Sequence, residues 1–151
     1  PQMRKQKRGR IICISSVAAV YSIPFQAYYS ASKAAINSFI DALTNEVKSF
    51  GIEVTSVMPG DISTGFTAAR IKSNVGDDVY SGVIGSAVSA MEKDEKNGMT
   101  PDSVARLVVK LAEKKHVAPL YTAGLQYKTL VFLSRLLPHK LAVKVVGGMY
   151  K

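Results

Sequence analysis

The pattern that most constrains this chain is an apolar strand, a long helical stretch and a second apolar strand in direct succession. Ile11-Ile12-Cys13-Ile14 is an unbroken apolar run. From Tyr28 to Phe50 the apolar residues Ile36, Phe39, Ile40, Leu43, Val47 and Phe50 recur at helical spacing and predict a core-facing stripe, with Glu46 and Lys48 off it. Gly51 closes the helix, and Ile52-Glu53-Val54-Thr55-Ser56-Val57-Met58 reads as the second strand. Strand, long helix, strand is a βαβ unit, so the expected class is α/β with a parallel sheet.

At the start of that helix, Tyr29-Ser30-Ala31-Ser32-Lys33 sets a phenol and an ammonium four residues apart, on one face. A free tyrosine holds its proton too tightly for acid or base work near neutral pH, whereas a fixed positive charge beside it favours the phenolate. The pair is a candidate proton-transfer device. Of the seven tyrosines, Tyr29 alone has a lysine four residues on. Taken alone, such a pair is more often an ordinary surface contact. Two neighbours change its weight. The first strand runs into Ser15-Ser16, thirteen residues before Tyr29, with Pro24 breaking the loop between, and Pro59-Gly60-Asp61-Ile62-Ser63-Thr64 stands at the carboxyl end of the second strand.

In this order and spacing the three motifs resemble the short-chain dehydrogenase/reductase family: a serine ending a strand, Tyr-x-x-x-Lys on the next helix, and Pro-Gly-x-x-x-Thr after the following strand. The resemblance implies an oxidoreductase interconverting a carbonyl and an alcohol with NAD or NADP. It makes Tyr29 the general acid/base and Lys33 the residue that lowers the tyrosine pKa and hydrogen-bonds the nicotinamide ribose. Ser16, not Ser15, matches the family's serine that polarises the substrate oxygen; successive strand side chains point to opposite faces, so only one of the two can do this. Ile62 and Thr64 match positions that hold the carboxamide, and Pro59-Gly60 matches the turn that lets the backbone approach the cofactor. It also implies a homo-oligomer, with a second apolar side of the long helix at the subunit contact. The physical logic runs alongside: hydride transfer leaves charge developing on oxygen, and a hydroxyl donor plus a proton source stabilise it.

No Gly-x-Gly-x-x-Gly or Gly-x-x-x-Gly-x-Gly occurs in the 151 residues. The chain opens at Pro1, and its first ten residues resemble the end of the helix that precedes the catalytic strand in the family. The resemblance therefore implies the C-terminal part of a doubly wound, Rossmann-like domain. Residues 1–124 read as the catalytic unit, substrate loop and following helix, and 125–151 as an apolar and basic extension. Two readings are open: a catalytic portion of such an enzyme, or a catalytically incompetent packing and interaction fragment of one. A serine hydrolase built on Ser16 lacks both a Gly-x-Ser-x-Gly elbow and a motif around His116 or His139.

Charge narrows the partners. Net charge is +9, with five basic and no acidic residues in positions 1 to 10, seven and none in 114 to 151, and a net of −3 between. The basic N-terminal cluster has no interleaved aromatics and no nucleic-acid fold signature, so it reads as a solvated helix end and nucleic acid is not an expected partner. The single cysteine, Cys13, lies in an apolar strand and reads as a small hydrophobe. No apolar run is long enough to span a membrane, and the expected location is cytoplasmic, with membrane-peripheral contact as its variant. No metal cluster is expected. With few strands available, the first would present an unpaired apolar edge, which predicts marginal stability or self-association.

Between Asp61 and Gly98 small and charged residues predominate and predict loose helices and a mobile loop, with Phe66 and Tyr80 as candidate pocket residues. Thr100 and Pro101 then start a helix that carries Val104, Leu107, Val108 and Leu111 inward. A third strand is expected near 117–122. Pro138 splits the C-terminal stretch into two short helices, in which apolar residues alternate with Lys128, Arg135, Lys140 and Lys144. Packing on protein is the favoured reading of this tail; a membrane-surface segment or a wall of a lipophilic substrate site is the other.

Overall fold

The computed structural model describes residues 1–73 and 75–150. Its centre is β2 (Ile52–Met58), which lies between β1 (Gly9–Ile14) and β3 (Leu120–Thr122), parallel to both. Every β2 residue from Val54 onward is buried, as expected of a parallel strand covered on both faces. The sheet order β1-β2-β3 leaves one side of β1 unpaired, and Cys13 is accordingly only partly buried. β2 thus falls where its apolar run places it, whereas β1 begins at Gly9, two residues before its run and within the stretch expected as a helix end. The third is shorter than its sequence window.

Helix α1 (Gln2–Gln6) leads into β1 through Lys7 in the left-handed conformation. Helix α2 (Ala27–Val47) carries the crossover and is extended by a tight turn to Phe50. Gly51 turns the chain back at φ 66°, where a side chain would strike the Lys7 carbonyl. Ile40 is fully enclosed, and Ile36, Leu43 and Val47 are half-buried. Phe39 and Phe50 depart from the expected stripe. Phe39 is 59% exposed, and the helix presents it to the same flank as the exposed Tyr28.

The expectation of loose helices across 61–98 is corrected in its second half. Helix α3 (Val83–Lys96) is a regular element that buries Ala87 and Met91. Its N-terminus is held by Asp77, whose Oδ1 accepts from the Ile84 and Gly85 amides at 3.0 and 3.3 Å. Helix α4 (Pro101–Glu113) has Thr100 at its N-cap position and Pro101 in its first turn, as expected, but the Thr100 hydroxyl makes no capping bond. Pro138 separates α5 (Leu125–Leu136) from α6 (His139–Met149).

Alternation along β2 sorts the core. Val57 packs with Val104, Leu111 and Ala123 on the α4 side. Its neighbour Met58 packs with Tyr21, Val131 and Val146, where α5 and α6 fold back over the sheet. Arg10 reaches from β1 to the end of α4, donating to the carbonyls of Leu111 at 2.6 Å and Lys114 at 2.5 Å, and pairs with Glu53 on β2. Burial alone would raise the Glu53 pKa, but hydrogen bonds from Arg10, His116 and the Val117 amide outweigh it and hold the carboxyl below the usual range.

Candidate active site

The three sequence motifs converge at the carboxyl end of the parallel strands. Ser16, Tyr29, Lys33, Pro59, Gly60, Ile62 and Thr64 all line one cavity of about 320 Å³, together with Asp61, Glu95 and Tyr150. Convergence there is a consequence of the crossover: β1 and β2 run the same way, so the segments leaving their carboxyl ends emerge at the same edge of the sheet.

The two serines that end β1 have different partners. Ser15 Oγ donates to the Lys33 carbonyl at 3.0 Å, tying the strand end to the first turns of α2. Ser16 Oγ accepts from the Ala18 amide at 3.1 Å and caps the short turn Val17–Ala19. Used there as an acceptor, the Ser16 hydroxyl keeps its proton for a second oxygen. Lys33 Nζ donates to the Ile14 carbonyl at 3.1 Å and stands 5.6 Å from the centre of the Tyr29 ring. The carbonyl takes one of three ammonium protons, and two remain.

The Pro59–Thr64 segment is held by backbone hydrogen bonds to Val17 and Met99. The Val17 amide donates to the Pro59 carbonyl at 2.9 Å, and Met99 brackets the next residues through Met99 N to Asp61 O at 2.8 Å and Ser63 N to Met99 O at 2.9 Å. Tyr127 of α5 completes the enclosure. Its ring occupies the space that a side chain at Gly60 would need, and its hydroxyl donates to Asp61 Oδ2 at 2.7 Å while accepting from the Asp61 amide at 3.1 Å. Gly60 is therefore required by Tyr127 packing, a role beyond the one assigned from the motif. Burial raises the Asp61 pKa, and the Tyr127 hydrogen bond only partly offsets that, with Asp94 and Glu95 adding to the rise.

Two tyrosines line the cavity, and their surroundings separate them. Burial pushes the Tyr150 phenol up to about 12, with Asp61 and Asp94 adding to it. It stays protonated across the physiological range and cannot serve as a base there. Tyr29 has the Lys33 ammonium beside it.

A second cleft of about 520 Å³ shares Gln26, Tyr29 and Phe66 with this cavity and is otherwise walled largely by apolar side chains, among them Phe25, Tyr28, Ile71 and Val88. Phe66 thus lines both spaces. Tyr80 lines neither; it stands edge-on to Phe25, 5.7 Å between ring centres. The residues that sequence reasoning missed are Tyr127, Tyr150 and Glu95. Asp61 was visible inside its motif, whereas the others have no local signal. No group of three or more potential metal ligands occurs among the described residues.

The family described as short chain dehydrogenase matches residues 1–74. A 3-ketodihydrosphingosine reductase of Bacteroides thetaiotaomicron is 40% identical over 118 residues, covering 77% of this chain and 44% of that protein. Dehydrogenase/reductase SDR family member 7B of Xenopus laevis is 37% identical over 138 residues, covering 91% and 39%. The chain belongs to the short-chain dehydrogenase/reductase family of oxidoreductases. It spans less than half the length of these two relatives. In fold it is similar to a short-chain dehydrogenase from Streptomyces avermitilis, with a TM-score of 0.68 at 22% identity over 90% of this chain and 50% of that one. A 7beta-hydroxysteroid dehydrogenase gives 0.66 at 20% identity, over 97% and 50%.

Proposed function

We propose that this chain carries the proton-transfer site of an NAD- or NADP-dependent oxidoreductase that interconverts a ketone and a secondary alcohol with a lipophilic body. The observation that supports this reading best is the single cavity in which Ser16, Tyr29 and Lys33 meet the Pro59–Thr64 segment. The Tyr29 hydroxyl gives its proton to the carbonyl oxygen in reduction and takes it back in oxidation. Ser16 Oγ–H donates to that same oxygen as charge develops on it, and the Lys33 ammonium stands beside the Tyr29 ring.

Tyr29, Lys33, Pro59, Gly60, Ile62 and Thr64 would hold the nicotinamide riboside end of the cofactor. The free ammonium protons of Lys33 suit ribose hydroxyls, and Thr64 and Ile62 line the same wall. The dinucleotide, when bound, supplies or accepts the hydride. The apolar cleft that shares Tyr29 with the cavity would take the body of the substrate. The exposed Phe39 on α2 marks the candidate surface for homo-oligomer formation.

The test is turnover by the protein that carries this chain, followed at the nicotinamide absorbance with a series of lipophilic ketones and alcohols. Tyr29→Phe should abolish proton transfer while leaving fold and cofactor affinity nearly unchanged. Near-normal turnover by Tyr29→Phe would overturn the assignment. The second reading, a non-catalytic interaction fragment, draws on the absence of a glycine-rich fingerprint in these 151 residues and on the open edge of β1. Measurable turnover by the 151-residue chain alone would exclude it.

A further inference from the structure

Helices α5 and α6, which bury Val131 and Val146 in one cluster, each have two dissimilar sides. The inner sides are committed to the protein: Val131 and Val146 are buried against Met58 and Tyr21, Tyr127 holds Asp61, and Tyr150, one residue beyond α6, lines the catalytic cavity. The outer sides are apolar yet uncovered. On α5, Leu125, Phe132 and Leu136 stand seven and four residues apart and fall on one face. On α6, Leu141, Val145 and Met149 repeat every four residues on one face. These six side chains are between 45% and 80% exposed. Lys128 and Arg135 flank the α5 row, Lys140 and Lys144 flank the α6 row, and all four are exposed.

Charge selects the occupant. From 114 to 151 the chain has seven basic residues and no acidic one. A second copy docking the same face by twofold symmetry would bring two such basic stretches together, with no carboxylate of residues 114–151 to separate them. The covering surface must be apolar at depth and anionic at its rim. We propose that the outer faces of α5 and α6 dock in the plane of an anionic lipid surface, with Phe132, Leu136, Leu141 and Val145 entering the acyl boundary and the four cations meeting the phosphate and carboxylate headgroups. No helix of the described residues is long and apolar enough to cross a membrane, and this surface needs none. The proposal is independent of the chemistry proposed above, and neither stands or falls with the other.

The experiment is cosedimentation of the 151-residue chain, without dinucleotide, with vesicles of phosphatidylcholine alone and of phosphatidylcholine with phosphatidylserine. Binding should be strong only to the anionic vesicles and should fall as salt rises, because attraction between exposed charges is screened over about 8 Å at physiological ionic strength. Combined Lys128→Gln, Arg135→Gln, Lys140→Gln and Lys144→Gln should weaken it by about several hundredfold, given roughly fivefold for each cation near the surface. Phe132→Ser with Leu136→Ser should weaken it while leaving the thermal unfolding transition in place, since both side chains are exposed. Lys5→Gln, Lys7→Gln and Arg8→Gln, which remove the other basic cluster, should leave it unchanged. Absence of binding, equal binding to both vesicle types, or an equal loss with the N-terminal variant would overturn the proposal. Concentration-dependent self-association abolished by the Phe132 and Leu136 substitutions would assign the face to a second copy instead.

Discussion

The Tyr127 hydroxyl makes two hydrogen bonds to one residue, donating to the Asp61 carboxylate at 2.7 Å and accepting from the Asp61 amide at 3.1 Å, across 66 positions of sequence. It thereby joins α5 to the turn after β2. Tyr127→Phe keeps the ring over Gly60 but leaves a partly buried carboxylate without its donor, which should cost about 1–3 kcal/mol in urea unfolding. The pH dependence should change as well. Burial raises the folded Asp61 pKa, so its stability contribution is fully present below the unfolded value of about 3.9 and declines as pH rises through the folded value. Removing the donor to the charged form should steepen that decline; a variant with the wild-type profile would contradict the coupling.

Gly60→Ala tests the other half of the contact. The added methyl overlaps the Tyr127 ring, so destabilisation of about 1–3 kcal/mol is expected. In a Tyr127→Ala background the same change should cost much less. A double-mutant cycle without that rescue would separate the two residues.

Ser16→Ala should lower turnover of the protein carrying this chain by about a hundredfold or more, the usual loss of one oxyanion-type donor. Loss of its cap on the Ala18 amide should cost about 1 kcal/mol besides. Thermal unfolding and turnover, measured on the same sample, resolve the two effects.

Lys33→Ala should weaken turnover and cofactor affinity together, while also freeing the Ile14 carbonyl. An affinity measurement by fluorescence titration distinguishes this from Ser16→Ala, which should spare affinity. By itself the 151-residue chain should bind NAD or NADP more weakly than micromolar, because these residues include no Gly-x-Gly-x-x-Gly or Gly-x-x-x-Gly-x-Gly fingerprint to hold the pyrophosphate. Calorimetry giving micromolar affinity would refute this.

Glu53 gives the fold an acid-sensitive clip. Its folded pKa lies below its unfolded value of about 4.3, so its stabilising contribution is present above that pH and is lost as pH falls through the folded value. The midpoint of thermal unfolding should therefore drop on acidification, and Glu53→Gln should be less stable near neutrality and flatter in acid. An unchanged slope in Glu53→Gln would assign the acid sensitivity to other carboxylates.

Local pattern determined the βαβ unit, the placement of Tyr29 and Lys33 on one helix face, and the break at Pro138, because each rests on periodicity or backbone chemistry within a few residues. The convergence of Ser16, Tyr29 and the Pro59–Thr64 segment was also legible, since parallel strands deliver their loops to one edge. Tertiary structure alone decided what surrounds them. Tyr127 and Tyr150 reach the site only because α5 and α6 fold back over Met58, and no short-range signal encodes that return. The order of α3 depended in the same way on Asp77, a cap supplied from outside the helix. Phe39 looked like core because periodicity reports which side of a helix is apolar, whereas burial depends on which part of that side meets the sheet.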